Sequence, residues 1–166
     1  MKWRHPPGQT VKINFDGVFD ERRSQSASGV VVGDMNGHVL LTKTGLHNGV
    51  ASAFAAEAIA CRRATQIALE INREDIIIKG DSLSIIKKCN STDFDKSMVG
   101  TYIHDIHRMK VKSRKIRFEF TPRIANNLAH MLATESLRRR EEIYLIDEVP
   151  SYSEKHTKDE SVREPD

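Results

Sequence analysis

One acid inside an apolar run constrains this chain more than any other feature. Residues 11–19 read VKINFDGVF. As a strand, the run sends Ile13, Phe15 and Phe19 to one face and Asn14, Asp16 and Val18 to the other. Asp16 therefore sits within an element that otherwise reads as core. A carboxylate there is costly unless something pairs with it. Taken alone, Asp16-Gly17 also fits a turn that ends a strand.

The rest of the chain supplies the setting. Residues 1–10 hold Trp3, Pro6, Pro7 and Gly8 and read as an irregular lead-in, with Trp3 free to pack back on the domain. Residues 27–33 form a second, valine-rich strand. Asp34-Met35-Asn36-Gly37 is a hairpin signal, since Asn-Gly tolerates positive φ. Residues 39–43 are a third strand, and three strands on short turns make an antiparallel meander.

The period then changes. Ala53, Glu57, Ala60, Cys61, Ala64, Ala68 and Ile71 recur at helical spacing, with Asn48 or Ser52 as the cap. Glu57 lies on this apolar stripe, where acids are rare, although a helix acid near an exposed end can also snorkel. Residues 75–80, DIIIKG, read as a buried parallel strand. Asp81 follows at its carboxyl end, where α/β sheets bind ligands. Asp81-Ser82 also suits the N-cap of a short helix over 82–88. A helix over 97–110, a strand over 115–120 and a helix over 125–139 complete the pattern.

The order β-β-β-α-β-α-α-β-α predicts a mixed α/β domain of five strands with helices on its faces. At 166 residues and 39% hydrophobic, one domain over 11–146 accounts for the apolar residues. Residues 147–166 are rich in Ser, Glu, Lys and Asp and read as a disordered tail. No apolar run approaches the roughly 20 residues of a membrane helix. The start MKWRHPPGQT lacks the apolar core of a signal peptide, so the expected location is cytoplasm or nucleus. Cys61 and Cys89 form neither a disulfide framework nor a metal-ligand spacing.

Four pieces together resemble a known family. They are Trp3-Arg4-His5-Pro6-Pro7 leading into Val11-Lys12-Ile13-Asn14-Phe15-Asp16-Gly17, then Ala56-Glu57-Ala58-Ile59-Ala60, then Gly80-Asp81-Ser82, and then residues 123–133, RIANNLAHMLA. In this order they are similar to the type 1 ribonuclease H domain. They resemble more closely the plant ribonuclease-H-like domains found alone and at the ends of retroelement reverse transcriptases. The resemblance spans roughly residues 3–140 and implies strand order 3-2-1-4-5.

It also implies an activity. The family hydrolyses the RNA strand of RNA–DNA hybrids with two magnesium ions, manganese being a possible substitute. Such hard cations take oxygen ligands. Carried over by motif, Asp16 bridges both ions, Glu57 serves the leaving-group side and Asp81 the water side. Gly17, Ser82, Arg123 and Asn126 fall among the implied nucleic-acid contacts, and the expected protein is a monomer.

The family pattern breaks at two places. Its last helix should present a fourth carboxylate, and this chain has His130 there, one turn after Asn126. Imidazole is a poor magnesium ligand. As a catalytic residue, His130 would carry a proton near neutral pH; otherwise it is a plain surface histidine. The loop at residues 121–123 also lacks the mobile histidine of bacterial enzymes, and Arg123 is placed to meet a phosphate instead. Separately, residues 107–117 hold Arg108, Lys110, Lys112, Arg114, Lys115 and Arg117 without an acid. Such a cluster suits phosphates, or is a solvated helix end. Three readings follow: a hybrid-cutting endonuclease, a binding module impaired by His130, or a more distant nuclease of the same superfold.

Overall fold

The computed structural model describes residues 10–71, 73–113, 115–147, 150 and 152. Trp3, the rest of residues 1–9 and most of the segment after residue 147 lie outside the described residues. The elements run β1 (Val11–Asp20), β2 (Gln25–Asp34), β3 (Val39–His47), α1 (Ala53–Ile71), β4 (Ile76–Gly80), α2 (Leu83–Asn90) and α3 (Gly100–Lys110). Then come β5 (Ile116–Phe120), a 3-10 turn (Arg123–Asn126), α4 (Asn127–Arg139) and β6 (Tyr144–Ile146).

The strands form one sheet in the order β5-β4-β1-β2-β3-β6. The meander is antiparallel from β1 to β3, while β4 runs parallel to β1 and to β5. The expected order 3-2-1-4-5 is present. The expected count of five is corrected to six, because β6 pairs antiparallel with β3. That strand is three residues long and only Leu145 is half-buried, so neither length nor alternation marks it in the sequence. The turn between β2 and β3 is organised by Asp34, whose Oδ1 accepts the N–H groups of Asn36 and His38 at 2.9 Å each. Within that turn Gly37, not Asn36, takes the positive φ, 88°.

The two faces of the sheet carry different helices. Ile13, Phe15, Val30, Val32 and Ile78 meet α1, and α2 and α3 close the same core. Val31 meets Leu128, Ala129 and Leu132 of α4 on the other face. Ser52 caps α1 by accepting the Ala55 N–H at 3.0 Å. The expected apolar stripe understates the burial of this helix. Ala55, Ala58 and Ile59 are buried as well, whereas Ala53 is exposed. The reason is α3, which packs on the outer side of α1 and pairs Asp105 with Arg62 at 3.2 Å. Two helix starts also move. The one expected at residue 97 begins at Gly100, and the one expected at residue 125 begins at Asn127, after the 3-10 turn.

Tyr152 packs against the α4 cluster, with the Arg139 guanidinium 4.2 Å from its ring centre. Among the described residues, no helix is long and apolar enough to cross a membrane.

Candidate active site

Two glycines, one on β1 and one on β2, decide how closely the helices approach the sheet. A Cβ on Gly17 would lie 2.3 Å from the carbonyl oxygen of Ala56, and one on Gly29 would lie 2.3 Å from that of Ala129. Bare backbone at these points lets α1 settle on one face of the sheet and α4 on the other. Gly29 is the cross-strand partner of Asp16. Glu57, next to Ala56, and His130, next to Ala129, therefore arrive on either side of Asp16. The Gly17 N–H donates to Glu57 Oε1 at 2.7 Å, which fixes that carboxylate against β1.

Asp81 reaches the same place from the carboxyl end of β4. Asp16, Glu57 and Asp81 each offer an oxygen within 4.8 Å of the others. Residues spread over 65 positions of sequence thus converge as the motifs imply. His130 Nδ1 donates to Asp16 Oδ2 at 2.6 Å. Asp16 is fully buried; among the described residues its Oδ1 and the Oε2 of Glu57 meet no donor beyond the proton these two carboxyls share with each other. Buried carboxylate oxygens are rarely left so. Burial, followed by the Asp16 charge, pushes the Glu57 carboxyl up to about 9. Burial also raises Asp16, against the hydrogen bonds from Glu57 and from His130. A divalent ion beside these carboxyls would favour their charged forms.

A pH dependence follows. Glu57 binds its proton more tightly in the folded chain than in the unfolded one, where it titrates near 4.5. Between pH 7 and 9 the unfolded state has already lost this proton. Metal-free protein is therefore expected to lose stability as pH rises through this window. Thermal melts at pH 7 and 9 check this. Added manganese should flatten the loss, and equal melting at both pH values without metal would contradict the high Glu57 value.

The remaining site residues divide. Arg123 Nε donates to Asp81 Oδ2 at 2.6 Å, and its Nη1 lies 3.0 Å from His130 Nδ1. Its side chain is 56% exposed, so it also faces solvent. Ser82 occupies the N-cap position of α2, but its hydroxyl makes no capping bond. Asn126 is 1% exposed, and its amide is engaged by Asn14, the Phe15 carbonyl and Asp81. The sequence reading missed Asn14 and Gly29 as site residues; their places beside Asp16 follow only from register.

The basic segment is not brought to the acids. It leads into the start of β5, where Lys115 accepts the Ile76 N–H, while Asp81 lies past the other end of β4. That strand separates them by about 17 Å. Acids just outside the run, and one from beside β4, meet several of its charges. Arg108 pairs with Asp105, and Arg117 with Asp75 at 3.2 Å and Glu119 at 3.5 Å. Lys110 lies over the Phe118 ring, Lys112 is exposed, and Arg114 is outside the described residues.

The three acids fit a hard divalent cation. All offered donors are carboxylate oxygens, and Asp16 and Glu57 each also carry a buried oxygen that meets no neutral or basic donor among the described residues.

Comparison with known proteins accords with this geometry. Among curated proteins, no sequence relative is found. Solved structures share the fold. RNase H1 from the halophilic archaeon Halobacterium salinarum NRC-1 is 22% identical, with TM-score 0.70, over 78% of this chain and 98% of that one. LC11-RNase H1, isolated from compost by a metagenomic approach, is 20% identical, with TM-score 0.72, over 80% and 98%. The same protein, solved in complex with an RNA/DNA hybrid, matches at 18% identity and TM-score 0.69 over 78% and 98%. The family model described as reverse transcriptase-like matches residues 14–136, which hold all three acids and His130. On that match, this chain is a member of the reverse transcriptase-like family, built on the ribonuclease H fold.

Proposed function

We propose that this chain is a divalent-metal-dependent endonuclease that hydrolyses the RNA strand of RNA–DNA hybrids. The observation that carries the proposal is the convergence of Asp16, Glu57 and Asp81 within 4.8 Å, Asp16 being fully buried. Magnesium is the ion of choice, with manganese as the substitute, because the donor set is all oxygen. Bound there, divalent ions supply activation of water and neutralisation of the departing oxygen. The family and a structural neighbour solved with an RNA/DNA hybrid support the substrate class.

The chain's own residues do the rest. Asp16, Glu57 and Asp81 hold the ions, and the Gly17 N–H fixes the Glu57 carboxylate. His130 stands where the fourth carboxylate belongs and holds Asp16 Oδ2. Arg123, reaching Asp81 from the solvent side, has donors left to meet a substrate phosphate. RNA is told from DNA by its 2′-hydroxyls and the shape of the hybrid, not by sequence.

A second reading is a hybrid-binding module with impaired turnover, and His130 is the observation that favours it. A labelled hybrid incubated with magnesium, or separately with manganese, decides between them. Slow but measurable cutting of the RNA strand is expected. Binding without cutting in either metal selects the module. A His130→Asp protein should cut about tenfold faster, a difference of about 1.4 kcal/mol in the barrier. An unchanged rate would remove His130 from the explanation of slow turnover.

A further inference from the structure

We propose that Asn14 is a positioning residue: it locks the amide of Asn126 so that the amide steers Asp81 into the metal site. This rests on the metal-dependent reading above. Asn14 Nδ2 donates to Asn126 Oδ1 at 3.0 Å. A primary amide has one accepting end and one donating end, so fixing the oxygen fixes the NH2 group. That NH2 donates to the Phe15 carbonyl at 2.8 Å and, more weakly, to Asp81 Oδ2 at 3.4 Å.

The opposite rotamer is excluded by its surroundings. Turned over, Asn126 would aim its oxygen at the Phe15 carbonyl and the Asp81 carboxylate, acceptor against acceptors. Asn126 is buried, so no bulk water relieves such a clash. The two amides tie together β1, the carboxyl end of β4 and the turn that opens α4. They also hold Asp81 against a competing pull, since Arg123 takes the same Oδ2 from the exposed side at 2.6 Å. Asn14 lies two residues before Asp16, on the same face of β1.

The test uses the full chain and three substitutions. Asn14→Asp replaces a donor with an acceptor, so the Asn126 NH2 is drawn to residue 14 and its oxygen is turned onto Asp81. Bare charge predicts the opposite, because another carboxylate near the site should strengthen cation binding. Mn2+ titration calorimetry of the resting protein reads the sign. About tenfold weaker binding is expected for Asn14→Asp and about threefold for Asn14→Leu, which only removes the lock. In hybrid cleavage, kcat should fall while KM holds.

A metal-free readout stands beside these. The side-chain 15N–1H signals of Asn126, assigned by their disappearance in Asn126→Asp, should move in Asn14→Asp. Mn2+ affinity kept or raised in Asn14→Asp overturns the proposal, as do unmoved Asn126 signals. Asn14→Leu keeps the test open if Asn14→Asp fails to fold. A wild-type protein that takes up no Mn2+ overturns the metal reading instead, and the Asn126 signals then decide the relay alone.

Discussion

Asp16→Asn is expected to cut RNA–DNA hybrid at least about a thousandfold more slowly than the wild-type chain, a loss of about 4 kcal/mol of barrier lowering. Asparagine keeps the shape and an acceptor toward His130 but gives up the charge shared with Glu57 and Asp81. Asp16 is the acid at the centre of the three, flanked by α1 on one side and α4 on the other. The same substitution should act in the opposite direction on stability. It removes a fully buried charge with two acids beside it. A gain of about 1 kcal/mol, or about 3 °C in Tm, is expected without metal. Hybrid cleavage and thermal melts on one preparation check both signs. Cutting retained within tenfold would remove the acidic cluster from the reaction.

Gly17→Ala and Gly29→Ala should each lower stability by about 3 kcal/mol, or roughly 6–12 °C in Tm. The added carbon would stand 2.3 Å from a helix carbonyl oxygen in each case. Backbone of a packed helix does not yield as a side-chain tip does, so α1 or α4 must lift from the sheet. Gly49 provides the control. It has a φ of +64° and open space around a built Cβ, so Gly49→Ala meets only backbone strain, about 1 kcal/mol. Equal losses in all three variants would contradict close approach as the reason for Gly17 and Gly29. Lifting α1 also takes Glu57 from the Gly17 N–H, so Gly17→Ala should weaken manganese binding in whatever fraction remains folded.

Much of this was legible in the chain. Asp16, Glu57 and Asp81 each break a local rule, an acid where the period or strand position calls for an apolar residue or a ligand. Three such breaks in one small domain point to a shared site. The meander and the parallel β4 were legible because turn chemistry and hydrophobic period agree there. What stayed hidden depends on register. Nothing local says that Gly29 lies opposite Asp16, or that Asn14 and Asn126, 112 positions apart, share a hydrogen bond. The pairing of the basic segment shows a related limit. A run without acids looks unpaired in sequence, yet Asp105 and Glu119 stand just beyond its ends on the same helix and strand, and Asp75 meets it from beside β4.

The short strand β6 has a consequence for solubility. A nine-residue β3 at the border of a sheet would offer a row of open peptide groups to any passing strand, the usual route to aggregation by strand addition. Here that row is closed from within. Thr44 N–H donates to the Ile143 carbonyl, Leu46 N–H to the Glu142 carboxylate, and the Leu40 carbonyl accepts from Asp147. Residues 142–147 therefore act as a selvedge, and a chain cut after α4 would bare the border they finish.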